Sequence, residues 1–190
     1  MDTLVLPSSD PNSLNVLQAT LKSGQVAVIP TDTVYGLAAD VFNEDAILKL
    51  FAAKGRDYNK AIAVLVGNLN QVFLLTDELP DSAKVLINHF WPGGLTLIVK
   101  KLPNLPPPLS PTPTIGIRMP NHPLALNLLE KYGPLATTSA NLSGGKNPQT
   151  VSGVLEQLNG RIPLVVDNGP CKGGVPSTVV DCTCSPIEIL

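Results

Sequence analysis

At 190 residues the chain is long enough for one sizeable core and short for two. Hydrophobic residues make up 44%, which argues for a packed domain and against disorder, while charged residues reach only 15% against about 25% in an average protein. The formal net charge of −2 excludes a general polyanion-binding surface, so any nucleic-acid contact needs a local basic patch.

No apolar run approaches the roughly 18 residues of a membrane span. The opening MDTLVLPSSD has neither the basic start nor the long apolar centre of a signal peptide. Both readings point to the cytoplasm and away from the membrane, and there Cys171, Cys182 and Cys184 stay as thiols. Cys182 and Cys184 form a C-x-C pair with no histidine nearby, which reads as small residues in and beside a strand, not as a metal site.

Taken in chain order, the elements alternate between strand-like and helix-like, the pattern of an α/β domain. Asp10-Pro11 reads as an N-cap with proline at the first helical position; Leu14, Leu17 and Leu21 recur at helical spacing, and Gly24 stops the helix. QVAVIP (25–30) is the first convincing strand. Asn43 caps a second helix, with Glu44 and Asp45 in its first turn, Lys54 in its last and Gly55 as the stop. AIAVLV (61–66) is a continuous buried strand, a helix follows near 80–90, and a WPGG turn leads into LTLIV (95–99). Six of the eleven residues from 103 to 113 are proline, which predicts an extended, partly mobile loop inserted within one domain. TIGIRMP (114–120), a helix near 123–131, PLATTS (134–139), a helix near 151–158, PLVVD (163–167), STVVD (177–181) and IEIL (187–190) complete the chain.

Polar residues gather where these strands end: Thr31 to Tyr35, Lys54 to Lys60, Thr114 to Arg118, Thr137 to Asn147, and Ser177-Thr178. In open α/β sheets, ligands bind where strand-end loops converge. KGRDYNK places Lys54, Arg56 and Lys60 within seven residues; they suit a phosphate or carboxylate cradle, or equally a helix C-terminus beside a solvated surface. TTSANLSGGKNP offers short hydroxyl and amide side chains and a Gly-Gly pair, which can hold phosphate oxygens or simply leave a strand through Asx and Ser/Thr turns. Neither a G-x-x-x-x-G-K-[ST] loop nor a G-x-G-x-x-G fingerprint is present. Arg118 ends an apolar strand, so it either faces a cleft and binds a carboxylate or pairs with a carboxylate such as Asp40 or Asp181. His89, beside Phe90 and Trp91, reads as a packing residue, and His122 as a cap at a helix entry. No Ser-His-Asp, Cys-His or metal-ligand spacing emerges, so an enzyme built this way works by positioning and charge.

PTDTVYGLAAD, AKGRDYNKAI, WPGGLTLIV, TIGIRMPNHP, TTSANLSGG and STVVD occur in this order over nearly the whole chain. Together they resemble the YrdC-like domain family, the threonylcarbamoyl-adenylate synthases. The resemblance implies one α/β domain over residues 1–190, with a twisted open mixed sheet and flanking helices around a basic concave cavity. It implies condensation of L-threonine, bicarbonate and ATP, with Mg²⁺, into threonylcarbamoyl-AMP and pyrophosphate. A tRNA-modifying threonylcarbamoyl-transferase complex then places the group beside the anticodon. By matched position, Thr33, Arg118, Thr137 and Ser177 contact threonine; Arg56, Lys60, Thr114, Ser139, Asn141 and Asn147 contact ATP; and Lys54 and Arg56 are catalytic. The chain departs from the pattern at Leu65, where some relatives use a histidine for threonine, and at Asn147, where serine is common.

The competing reading is a non-enzymatic module binding double-stranded or ribosomal RNA, through Lys54, Arg56, Lys60, Lys100, Lys101 and Lys146. Net charge −2 and 4% aromatic residues weigh against it. A carbamoyl-phosphate-dependent relative in metallocentre maturation is a third reading, although such proteins are usually fused to further domains.

Overall fold

In the computed structural model, which describes residues 2–190, ten strands form one mixed sheet whose faces are covered unequally. Strand β1 (Leu4–Pro7) precedes helix α1 (Ser13–Lys22), whose Leu17 and Leu21 are fully buried. The helix begins later than Asp10-Pro11 suggests. The Asp10 carboxylate accepts the Asn12 N–H (2.8 Å) and closes a turn, so Asn12 occupies the N-cap and its side chain makes no capping bond.

Strands β2 (Ala27–Ile29) and β3 (Gly36–Asp40) form an antiparallel hairpin in which Ile29 faces Gly36. Sequence reasoning missed β3, as it did β1. In helix α2 (Glu44–Lys54) the cap chemistry holds as expected: Asn43 Oδ1 accepts the Ala46 N–H at 3.0 Å, and Gly55 takes the left-handed conformation (φ 57°) that ends the helix. Strand β4 (Ala63–Leu65), the short helix α3 (Leu69–Val72), helix α4 (Asp81–Phe90) and strand β5 (Leu95–Lys100) follow.

The proline-rich segment is not an extended loop lying free of the domain. It contains a 3₁₀ turn, Pro107–Leu109, in which Leu109 is fully buried, with Leu105 buried just before it; the Ile62 N–H donates to Leu109 O (2.9 Å) and fastens the segment to the core. Strand β6 (Thr114–Arg118), helix α5 (Pro123–Tyr132), strand β7 (Leu135–Ser139), helix α6 (Val151–Leu158) and strands β8 (Leu164–Asp167), β9 (Thr178–Asp181) and β10 (Glu188–Ile189) complete the chain.

The strand order is β1-β8-β2-β3-β7-β4-β6-β5-β9-β10, with parallel and antiparallel neighbours mixed. Because side chains alternate across a strand, the two faces of the sheet feed two different clusters. Val28, Leu37, Val64, Leu97, Ile117 and Ala136 join α2, α4 and α6 in the larger core. Ala27, Ile29, Ala38, Leu65, Leu135, Leu164 and Val166 join α1 and α5 in the smaller one. That smaller core reaches only as far as β4. Beyond it, the same face of β4, β6, β5 and β9 presents Ala63, Gly116, Thr96 and Val179, and this strip is left open. Among the described residues no helix is long and apolar enough to cross a membrane.

Candidate active site

A cleft of about 400 Å³ lies over that strip. Its floor is the sheet face itself, not the crevice at the strand ends that the clustering of polar residues suggested. Small side chains make the room: Ala63 on β4 and Thr96 on β5 stand where the opposite face carries Val64 and Leu97. Gly36 is needed here, since a methyl group on it would sit 2.8 Å from the Thr137 methyl.

The hairpin loop 30–35 forms one wall. Thr31 shapes it: its hydroxyl donates to Val34 O (2.6 Å) and accepts the Thr33 and Val34 N–H groups at 3.2 and 3.3 Å. This leaves Thr33 at the cleft with its hydroxyl 3.0 Å from Arg118 Nη1. Tyr35 takes no part in the lining. It is fully buried, donating to Gly169 O (2.7 Å) and accepting the Asn168 N–H (3.2 Å), and burial pushes its phenol up to about 12.

Arg118, at the end of β6, is held on three sides: Nε donates to Gly93 O (2.9 Å), Nη1 to Thr33 and Nη2 to Asp32 Oδ1 (2.5 Å). Its salt-bridge partner is therefore Asp32, not Asp40 or Asp181. Asp40 accepts from the Tyr132 hydroxyl (2.8 Å), and Asp181 accepts from the Thr183 N–H and hydroxyl. Burial lowers the Arg118 pKa and Asp32 opposes that shift, so the guanidinium stays charged. Of its five N–H bonds, 5 − 3 = 2 have no acceptor among the described residues, the number a bidentate carboxylate takes.

Arg56 supplies the second cation at the cleft. Nη2 donates to Ala61 O (2.9 Å), while Nε is buried with no partner among the described residues. Ser139, Asn147 and Ser177 also line the cleft, and Ser177 is oriented by a 2.7 Å hydrogen bond with Thr96.

The remaining expected site residues lie elsewhere. Lys54 is 2% exposed, and its ammonium donates to Ser139 O, to Asn141 O (2.6 Å) and to Asn141 Oδ1 (3.4 Å). Asn141 is buried and closes its own loop, donating to Leu142 O and Gly145 O. Together they brace the end of β7 from below, with Ser143 N–H returning to Lys54 O. Lys60 is exposed outside the lining. Thr114 sits at the far end of β6 from Arg118, hydrogen-bonded to Thr112 (2.9 Å).

The six cations that would make an RNA surface do not share one patch: Lys54 is buried, Lys100 lines a different cleft, and Lys101 donates to Ser110 O (2.6 Å). Neither histidine behaves as its neighbours in sequence suggest. His89 is exposed, and the His122 side chain makes no capping bond; its Nε2 lies 3.3 Å from Asn168 Nδ2 while Nδ1 is buried with no partner among the described residues. Thr96 and Gly36 were missed from sequence, and Asp32 was noticed only as one of the polar group at 31–35. For Thr96 the signal was there, a polar residue at the alternate position of an otherwise apolar strand.

Comparison with known proteins bears on this geometry. The Sua5–YciO–YrdC family model, described as "Telomere recombination", matches residues 19–190. A Bacillus subtilis protein named threonylcarbamoyl-AMP synthase is 44% identical over 93% of this chain and 52% of its own length. The crystal structure of Pyrococcus abyssi Sua5 complexed with L-threonine superposes with a TM-score of 0.95 at 33% identity, covering 99% of this chain and 57% of that one. Escherichia coli YciO, at 24% identity, shares the fold with a TM-score of 0.85 over 100% of this chain and 95% of its own. The chain thus spans about half the length of the Bacillus and Pyrococcus relatives. With every strand of its sheet but β1, and the whole cleft, inside the matched region, the chain belongs to the Sua5–YciO–YrdC family.

Proposed function

We propose that residues 1–190 act as one catalytic domain, a threonylcarbamoyl-AMP synthase that condenses L-threonine, bicarbonate and ATP and releases pyrophosphate. The observation that carries this reading is Arg118, a buried guanidinium with two free N–H bonds, facing the same cleft as Arg56. The name of the Bacillus relative and the threonine bound in the Pyrococcus structure support it.

In this reading the threonine carboxylate sits against Arg118, with the hydroxyls of Thr33, Thr137 and Ser177 around the amino acid. Arg56, Ser139 and Asn147 receive ATP, with Lys60 reaching in from the rim and Thr114 from the far end of β6. The threonine amine and bicarbonate form a carbamate with loss of water; a carbamate oxygen then attacks the α-phosphate in line, and the bond to pyrophosphate breaks as Arg56 stabilises the departing charge. Lys54 and Asn141 act at one remove, holding Ser139 in place. Among the described residues no group of three His, Cys, Asp or Glu side chains is arranged to hold a metal. Mg²⁺ would come with ATP, held by its phosphate oxygens, and would there offset the charge of the triphosphate.

The product is a mixed carbamic–phosphoric anhydride, activated for transfer, and its consumer is the cytoplasmic tRNA-modifying threonylcarbamoyl-transferase complex. RNA contact by this chain belongs to that hand-over. The test is an assay with ATP, bicarbonate and Mg²⁺: pyrophosphate release should depend on L-threonine, and threonine-independent turnover, or none, counts against the proposal. Arg118→Ala should weaken threonine binding by about 1.5–3 kcal/mol, the value of a charged hydrogen-bond pair. An unchanged threonine affinity would remove Arg118 from the site.

A further inference from the structure

Asp32 is not among the residues that the family resemblance places at the substrate, yet it makes the one salt bridge among the described residues that is shielded from solvent. Its side chain is 18% exposed and that of Arg118 8%, whereas Lys84 and Asp81 pair at the surface. We propose that Asp32 is a positioning residue that aims the Arg118 guanidinium at the substrate carboxylate. The inference rests on the threonine-binding reading of the cleft.

Three observations carry it. Asp32 approaches Arg118 from behind: it lines the neighbouring cleft, with Asn121, His122 and Lys172, and not the one floored by the sheet. An incoming carboxylate therefore meets the two free N–H bonds of Arg118 without displacing Asp32. Secondly, the Asp32 bond completes a three-point hold with Gly93 O and Thr33 Oγ1, and without it Nη2 has no protein acceptor, so the group can rotate about its long side chain.

Thirdly, Asp32 is itself clamped. Its carbonyl accepts the Gly173 N–H (3.1 Å) and the Thr33 carbonyl accepts the Gly174 N–H (2.9 Å), which lays the segment before β9 across the hairpin loop. The approach is close enough that a Cβ on Gly173 would lie 2.6 Å from Asp32 O and 3.0 Å from Thr33 Cα. That segment also delivers Ser177 to the cleft. The loop carrying Asp32 is thus held by the segment before β9 and tied to β6 through Arg118 before substrate arrives, which lowers the ordering cost of binding.

The test is calorimetric titration of the whole chain with L-threonine and, separately, with a non-hydrolysable ATP analogue. Asp32→Ala should weaken threonine binding by at least about tenfold while analogue affinity stays within about twofold, because only the carboxylate seat loses its orientation. Asp32→Asn, whose amide oxygen can still accept from Nη2, should recover most of the threonine affinity. If Asp32→Ala does not fold, Asp32→Ser, too short to span to Nη2, takes its place.

Threonine binding that is unchanged or tighter in the shortened variant overturns the proposal, because Asp32 would then be inert or a competitor. Equal loss of threonine and analogue binding also overturns it, as does Asp32→Asn behaving like Asp32→Ala. If the wild-type chain binds no threonine, the functional reading fails first; if it binds and the shortened variant matches it, the Asp32 inference alone fails.

Discussion

Along β6, Ile115 and Ile117 are each 1% exposed under α2, α4 and α6, while Gly116 and Arg118, one residue over, turn to the opposite face. β5 repeats the pattern, with Leu95, Leu97 and Val99 buried on one side and Thr96 opening onto the cleft on the other. The same backbone thus serves two surfaces with different demands. On the packed face volume matters, and large aliphatic side chains fill it. On the open strip small size matters, because each side chain left out becomes space for a ligand, and the few polar groups that remain are held by neighbours. A rigid floor for a polar site is obtained by packing the reverse side of its strands, so stability and binding are separable to the extent that the two faces are.

The sharpest way to break the comparison is to damage the packed face alone. Leu97 pairs with Ile117 and Val180 in the sheet and has its side chain in the larger core, away from the cleft. Leu97→Ala should lower the unfolding free energy by about 2–5 kcal/mol, read by denaturant titration, while the surviving native protein binds threonine nearly normally. A loss of threonine affinity beyond roughly tenfold, about 1.4 kcal/mol, would mean that the strand transmits damage from one face to the other.

The converse change fills the open strip. Gly36→Ala inserts a methyl 2.8 Å from the Thr137 methyl and 3.7 Å from that of Thr31. Overpacking of this kind costs about 1–3 kcal/mol, less than the core deletion. The displaced Thr137 should also make threonine affinity fall by more than the stability change alone explains. If affinity holds while stability drops, Thr137 does not face the substrate.

How far this division was legible in sequence depends on the element. The α2 boundaries followed from local chemistry, because the Asn43 cap and the left-handed Gly55 need only their own neighbours. β3 was lost for the opposite reason. GLAAD is nearly all buried, on both faces of the sheet, so it shows no alternation and carries two alanines that suit a helix equally well. The proline-rich segment was misjudged because proline forbids ladder bonds but not burial, and Leu105 and Leu109 were the residues to follow. At the site, the Thr33, Arg118, Thr137 and Ser177 set came from ordered motifs, and all four face one cleft. The Asp32–Arg118 pair could not be read that way. It joins residues 86 apart, and only the pairing of β3 with β7, of β7 with β4 and of β4 with β6 brings the hairpin loop to the end of β6.

Lys54 lies where the packed face ends and the site begins, and it gives the smallest expected effect. Its ammonium is buried, and its acceptors are neutral amide oxygens with no carboxylate among them. Burial, with a smaller contribution from the Arg56 charge, pushes it down to about 8. The unfolded value is about 10.4, so the native state binds this proton less tightly than the unfolded chain does. The sign follows: the residue carries a stability cost that is fully present below about pH 8 and diminishes as pH rises toward 10.4. Lys54→Met removes the titration and keeps the length of the side chain. Between pH 7 and 9 the stability of the wild type relative to this variant should therefore rise by about 1 kcal/mol, measured by denaturant unfolding at each pH. A difference that stays flat, or falls, would mean that the three oxygens hold the proton as firmly as water does, and that Lys54 belongs energetically to the packed side of the sheet and not to the site it supports.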